Sequence, residues 1–368
     1  MTEIRINHLQ QLMNQHKLDT IAINPGPTLT YLTGLHFHLM ERPTVLLFQK
    51  GRQPLLILPE LELPKIADAR IYLQTIPYED DPSTWQEAYR KAFKHFDLEG
   101  AKIGLEPTRF RYLEISYLQM AAPTASFVNA EQLFGQLRIQ KDDEEINEIH
   151  RAIQIAQQAL KATLPMIKAG ISELEIAAEL SINLLRKGSD SELPFQPIVS
   201  SGPNSANPHA APSSRRLEAG DLLVIDWGAR SNGYCSDLTR TFGIQHLDSE
   251  FVEIFTAVLN SNAAGRNAGK PGAPAGEVDK AARAVIESAG YGKFFTHRTG
   301  HGLGLEDHET PYIFSENSLL LTEGMTYTVE PGIYLPDRGG VRIEDNMVVT
   351  AEGSETLSDF PRELTLLS

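Results

Sequence analysis

Cysteine is nearly missing from this chain of 368 residues: Cys235 stands alone. One thiol excludes an intrachain disulfide and fits a reducing compartment, the cytoplasm. Cys235 lies within a strand-like stretch and reads as a small core residue, with a reactive thiol as the lesser reading. No apolar run approaches the length of a membrane span. The opening MTEIRINHLQ lacks the apolar core of a signal peptide. Positive charge is scarce as well. Lys and Arg number 33 against 48 Asp and Glu, a net charge of −15. A surface of that sign repels nucleic acid and anionic membrane, so neither is expected as a partner. Part of the acidic excess is what a metal site would neutralise. With 41% hydrophobic and 22% charged residues the composition is globular. The length exceeds one ordinary core, so two domains are expected.

Residues 1–133 read as one α/β unit, a mixed sheet with flanking helices. Leu9, Leu12, Met13 and His16 share a helical stripe. Strand-like runs follow at 20–23, 44–48, 55–58, 71–75 and 102–105, with helical segments at 85–95 and 108–120. His36 and His38 alternate at a spacing that could bind metal. Nothing nearby supports it, and solvent-facing histidines are the expectation. Residues 134–368 form the second unit. Acidic residues from Asp142 suit a helix start, and Ile146, Ile149, Ile153 and Leu160 mark its core face. Ser172 and Glu175 spell a capping box for the next helix. Asp248 is placed to cap a third. The order helix, helix, strand, hairpin occurs twice, which suggests an internal duplication.

The chemistry concentrates in the two hairpins. Leu222–Ile225 is an apolar strand that ends in Asp226, and Asn232-Gly233 is a strong turn signal. Asp237 follows on the returning strand. The odd separation puts Asp226 and Asp237 on one face, directly opposite or diagonal according to register. In the second hairpin Glu330 and Glu344 are symmetric about Asp337, which places them opposite each other. Buried carboxylates this close need a cation or a shared proton. Between the hairpins, HRTGHGLGLEDHE carries His297, His301 and His308 among glycines. Its glycine spacing does not fit a dinucleotide fingerprint. Four carboxylates and one imidazole suit a pair of divalent cations such as Mn, Co or Zn, which can activate water and polarise a carbonyl.

IDWGARSNGYCSDLTRTF, HRTGHGLGLEDHE, TVEPGIY and GVRIED, in this order and spacing, resemble the metal-site motifs of the M24B metallopeptidases, the Xaa-Pro aminopeptidase and prolidase family. Tyr31-Leu32-Thr33-Gly34 resembles part of that family's creatinase-type N-terminal domain. The resemblance implies an α/β (α+β) architecture: a creatinase-like domain over 1–133 and a pita-bread catalytic domain over 134–368 with a pseudo-twofold repeat. It implies two metal ions, Mn first, with Co or Zn as alternatives. The ligands would be Asp226, Asp237, His301, Glu330 and Glu344, with Asp237 and Glu344 bridging. Glu330 would shuttle a proton, His308 would stabilise the tetrahedral intermediate, and His209 would contact substrate near the scissile bond. His297 and Arg342 become candidates for substrate contact or for support behind the ligands.

Family members restricted to dipeptides carry an arginine soon after the His308 position. Here no Arg or Lys occurs from Glu309 to Tyr327. The expectation is therefore an aminopeptidase that removes an N-terminal residue preceding proline, with a dipeptidase as the alternative. A cytoplasmic homodimer is implied. A creatinase-like amidine hydrolase would lack the ligands, and the simplest methionine aminopeptidases lack a domain like 1–133. A non-catalytic peptide-binding module of the same fold is the rival from outside enzymes.

Overall fold

The computed structural model describes residues 2–96 and 98–368. The chain divides into two compact units, with the division between Arg138 and Ile139.

The first unit contains α1 (Thr2–Gln15), β1 (Thr20–Ile23), α2 (Pro27–Thr33), β2 (Val45–Gln49), β3 (Leu55–Pro59), β4 (Gln74–Tyr78), α3 (Pro82–Phe96), β5 (Lys102–Leu105), α4 (Tyr112–Ala121), β6 (Ser126–Asn129) and α5 (Glu131–Arg138). The strands form one mixed sheet in the order β4-β3-β2-β1-β5-β6. The β1/β2 and β2/β3 pairs are antiparallel, and the β3/β4, β1/β5 and β5/β6 pairs are parallel. Trp85, Tyr89, Phe93 and Phe96 of α3 recur at helical spacing and bury one face of the sheet with Val45, Leu47, Ile57 and Ile103. Gly34 ends α2 in the left-handed conformation (φ 76°), so the Tyr31–Gly34 segment is a helix end. The strand expected at 71–75 lies at Gln74–Tyr78. His36 and His38 are exposed. α5 lies against α1 and buries Leu133, Phe134 and Leu137, so the unit extends to Arg138, past the boundary read at 133.

The second unit begins with α6 (Asp143–Thr163) and α7 (Glu173–Arg186). Both carry complete capping boxes, Asp142 with Glu145 and Ser172 with Glu175, each cap worth about 1 kcal/mol. β7 (Ile198–Ser201) follows, then β8 (Leu222–Trp227), β9 (Arg230–Ser231), β10 (Tyr234–Cys235) and β11 (Leu238–Ile244). Next come α8 (Ser249–Ala268), α9 (Gly276–Ser288), β12 (Gly300–Gly302), β13 (Glu309–Ile313), β14 (Thr326–Val329), β15 (Gly332–Leu335), β16 (Gly339–Arg342) and β17 (Asp345–Val349). Asp248 occupies the N-cap of α8, but its side chain makes no capping bond.

The repeated order is visible in the topology. β7 pairs antiparallel with β8, and β8 with β11. In the second half β12 pairs antiparallel with β14, and β14 with β17. A helix pair precedes each set, α6/α7 and α8/α9. Phe251, Ile254, Phe255 and Val258 of α8 pack on Leu222, Ile333, Val341 and Ile343, which fixes the two hairpins on a common core.

Candidate metal centre and active site

The registers of the two hairpins line up the acidic residues. In the first, Thr239 sits opposite Asp226 and Leu238 opposite Trp227. Asp237 is two residues before Thr239, so it shares Asp226's face as a diagonal neighbour. The turn is at Asn232-Gly233, both with positive φ (47° and 87°), as a two-residue hairpin turn requires. In the second hairpin, Val329 pairs with Asp345 and Gly332 with Arg342. Both ladders share one register, which sets Glu330 opposite Glu344. A bridge between Thr239 and Glu344 joins the hairpins. Asp226, Thr239, Glu344 and Glu330 therefore form a row across four strand segments, on one face.

Neutral and cationic groups hold this row from behind. Thr239 Oγ1 donates to Glu344 Oε2 at 2.7 Å. Arg342 Nη2 donates to Asp226 Oδ2 at 2.7 Å. The Asp237 N–H donates to Asn346 Oδ1 at 3.1 Å, and Asn346 Nδ2 returns a bond to the Asp237 carbonyl. Thr328 Oγ1 accepts the His301 N–H at 3.1 Å. His301 Nε2 lies 3.2 Å from Glu330 Oε1 and 3.6 Å from Asp237 Oδ2. Arg342 is 3% exposed, and its guanidinium also reaches Thr239 Oγ1 and Tyr334 Oη. Tyr334 Oη meets His297 Nε2 at 2.9 Å. Both candidates for substrate contact or support are thus tied into the wall behind Asp226. Thr239, Asn346 and Tyr334 escaped the sequence reading. A buried asparagine in an apolar strand two residues past Glu344 was the available signal. Threonine in a strand is too common to be one.

The electrostatics are those of crowded buried acids. Burial, reinforced by the neighbouring carboxylates, pushes Asp237 and Glu344 well above the ordinary carboxylate range. Burial also raises Asp226, against the pull of Arg342. Glu330 goes the other way: its burial is outweighed by the hydrogen bond and charge of His301, which bring it down to about 2. Among the described residues, Asp226 Oδ1 and Glu344 Oε1 are buried without a hydrogen-bond partner. Leaving such oxygens unsatisfied costs on the order of 1–3 kcal/mol each, more when charged. A cation removes that cost. Ligand atoms lie within 4.8 Å of one another in three sets: Asp226, Asp237, Glu344; His301, Glu330, Glu344; and Asp237, His301, His308. The residues present therefore fit divalent cations bound by oxygen and imidazole.

His308 packs its ring on His301, with centroids 3.8 Å apart at 45°, while its outer edge is exposed. Loss of water on the packed side, and then the proximity of His301, lower its pKa to about 4. His297 is lowered too, chiefly by burial. His209 is exposed on the loop after β7, where its N–H donates to Asn207 Oδ1 at 3.1 Å. Arg342 Nη1 donates to the preceding carbonyl, Pro208, at 3.3 Å. Cys235 is buried beside this region, and burial pushes its thiol up to about 12, as a core residue would be.

Fold and site together define a metallopeptidase of two-domain architecture. Residues 147–351 match the metallopeptidase family M24, and residues 5–140 match the creatinase/prolidase N-terminal domain. The chain belongs to the M24 family, with the pita-bread catalytic fold. It is 35% identical over 362 residues to the Xaa-Pro dipeptidase of Pyrococcus horikoshii, covering 98% of both chains. It superposes on a prolidase from Thermococcus sibiricus with a TM-score of 0.95 at 31% identity, covering 100% of this chain and 99% of the other. It also resembles an X-Pro aminopeptidase from Thermotoga maritima, with a TM-score of 0.85, 31% identity and coverage of 98% and 99%. Among the described residues no helix is long and apolar enough to cross a membrane.

Proposed function

We propose that this chain is a two-metal exopeptidase that hydrolyses the bond between an N-terminal residue and proline, acting first as an Xaa-Pro dipeptidase. The reading rests on one observation, the row of Asp226, Glu344 and Glu330 with Asp237 and His301 beside it, whose ligand atoms converge while two buried oxygens lack partners. Asp237, Glu344 and His301 each belong to two of the converging sets; of the three, only the carboxylates have two oxygens to share between cations, which supports Asp237 and Glu344 as shared ligands. Two divalent cations held there, Mn first and Co or Zn as alternatives, would polarise the scissile carbonyl and activate the attacking water.

The protein groups have separable tasks. Glu330 accepts a proton near the attacked carbonyl and passes it to the leaving proline nitrogen. His308 is neutral near pH 7 and offers an N–H from its open edge to the developing oxyanion. His209 projects from a loop fixed through Pro208 and contacts substrate. His297, Tyr334 and Arg342 hold Asp226 in place. The first unit, ending near residues 133–138, serves as the creatinase-type domain of a cytoplasmic homodimer.

The sequence leaned towards an aminopeptidase because no cation follows His308. The dipeptidase reading gains from relatives named Xaa-Pro dipeptidase and prolidase that match along nearly the whole chain. Aminopeptidase action is the runner-up, supported by the aminopeptidase-named structure. Hydrolysis of Ala-Pro and Ala-Pro-Gly by protein loaded with Mn, Co or Zn separates the two. The peptidase reading fails if neither peptide is cleaved with any metal. A chain that binds no divalent cation in a metal analysis would instead be a peptide-binding module.

A further inference from the structure

Glu173 is a buried carboxylate that the proposed chemistry leaves unused: it is the first residue of α7 and is 0% exposed. A buried acid persists only where other groups satisfy its oxygens, and here the satisfying groups come from one loop. Oε1 accepts from the Ser201 N–H at 2.7 Å, from Ser201 Oγ at 2.8 Å and from Asn204 Nδ2 at 3.2 Å. Oε2 accepts from Asn204 Nδ2 at 3.2 Å, from the Ser213 N–H at 3.0 Å and from Ser213 Oγ at 2.7 Å. Ser201 ends β7, and Ser213 lies beyond His209. One side chain therefore closes the base of the loop that carries His209. The backbone repeats the closure: the N–H groups of Glu173 and Leu174 donate to the carbonyls of Arg215 and Ser213, each at 3.1 Å.

Two further contacts seat the closed loop on β16, the strand that leads to Glu344. The Gly340 N–H donates to Ser205 Oγ at 2.9 Å, and Arg342 Nη1 donates to the Pro208 carbonyl at 3.3 Å. A Cβ on Gly340 would lie 2.2 Å from the Ser205 carbonyl oxygen, so loop and strand are in close contact. His209 itself is exposed. Its place is set from both ends of the loop and not by a contact of its own ring.

We propose that Glu173 is a positioning residue for the peptidase reaction: by closing the loop 201–213 it holds His209 where it meets substrate. Glu173 touches no substrate and acts through the loop alone. The inference rests on the Xaa-Pro peptidase reading and on the substrate contact of His209 within it.

The test is a double-mutant cycle of Glu173→Gln and His209→Ala in the metal-loaded full chain, read as kcat/KM for the better cleaved of Ala-Pro and Ala-Pro-Gly. Glu173→Gln keeps the size of the side chain but sets an NH2 group against N–H donors, which frees one side of the loop. It should lower kcat/KM by up to about 100-fold, the cost of misplacing a contact by about 1 Å. With His209 already replaced by alanine, the same substitution should change kcat/KM by less than about twofold, the error of additivity. Amide hydrogen exchange over residues 201–213 should rise in Glu173→Gln and not in His209→Ala. Ser213→Ala removes one donor and leaves Glu173 in place; it should show the same pattern more weakly, and it serves if the glutamine variant does not fold. Equal losses with and without His209 would mean that Glu173 only supports the start of α7, and the inference is overturned. Unchanged exchange across the loop overturns it whether or not the chain is a peptidase. A His209→Ala variant as active as the wild type overturns it while leaving the peptidase reading intact. Failure of the wild type to cleave either peptide removes the peptidase reading itself, and this inference with it.

Discussion

Arg342 grips one oxygen of Asp226 and leaves the other bare: Nη2 donates to Oδ2 at 2.7 Å, while Oδ1 is buried without a partner among the described residues. The carboxylate is thus oriented with a single lone-pair face towards Asp237 and Glu344. Partners that orient a metal ligand typically contribute 10- to 100-fold in metal affinity. Arg342→Met should weaken binding of a divalent cation by about that factor in a calorimetric titration of metal-free protein. Arg342→Lys should fall between, because one ammonium cannot also reach Thr239 and Tyr334. An unchanged affinity in Arg342→Met would show that Asp226 is held without it. Chelation should lower the melting temperature of the wild type, since a cation that binds only the folded state stabilises it by mass action.

Lys141 and Glu309 form an ion pair at 2.6 Å with side chains 1% and 6% exposed. Glu309 opens β13 immediately after His308, so the pair anchors the segment that carries that histidine. Removing one partner of a buried pair leaves an uncompensated charge and typically costs about 3–5 kcal/mol. Lys141→Met should show that loss in urea unfolding. The double variant Lys141→Met, Glu309→Leu should recover much of it, because apolar replacement of both partners is often near neutral. Equal losses in single and double variants would mean that packing, and not charge, is what Lys141 provides.

The two hairpins were readable in the sequence because their acids interrupt apolar strands and their turns carry strong signals. Symmetry about Asp337 was enough to oppose Glu330 and Glu344, and the shared register of two ladders has that geometry. Asp226 and Asp237 were different: parity gave the face, but opposed or diagonal depended on a register that only the folded ladder sets. The bridge from Thr239 to Glu344 joins strands 105 residues apart, and no local pattern encodes it. In the first unit the edge strand β4 lay three residues beyond its expected place. Ile71 and Tyr72 look like strand residues, yet pairing with β3 begins at Gln74. Edge strands have one neighbour, so their sequence preferences are weak.

Asp279 of α9 gathers the bonds that hold the strand leading to His301. Its Oδ1 accepts from the Thr299 N–H at 2.9 Å and from Thr299 Oγ1 at 2.7 Å, and Arg283 and Ser315 bond the same carboxylate. Burial pulls its pKa up, but the bonds from Arg283, Ser315 and Thr299 outweigh it, so the pKa is lowered. A depressed carboxylate adds stability that is fully present above its unfolded pKa, about 4, and is lost as pH falls through the folded value. Asp279→Asn should therefore melt below the wild type at pH 6. The gap should narrow as pH drops below about 4. A gap that stays constant from pH 6 to pH 3 would assign the loss to geometry alone.

Gly300 lets β12 approach β14 more closely than any other residue could. A Cβ at this position would lie 2.0 Å from the Thr328 carbonyl oxygen, far inside contact, and the obstacle is backbone that cannot swing aside. Thr328 also receives the His301 N–H, so any displacement of the strand moves the imidazole. Overpacking of this kind typically costs about 1–3 kcal/mol. Gly300→Ala should lower the melting temperature and weaken metal binding together. Gly353 is the control, since a Cβ there meets nothing within 4 Å. Gly353→Ala should stay within about 0.5 kcal/mol of the wild type and bind metal normally. Metal affinity preserved in Gly300→Ala despite lost stability would show that His301 can reach its partners from a shifted strand, and that the close packing of β12 serves the fold alone.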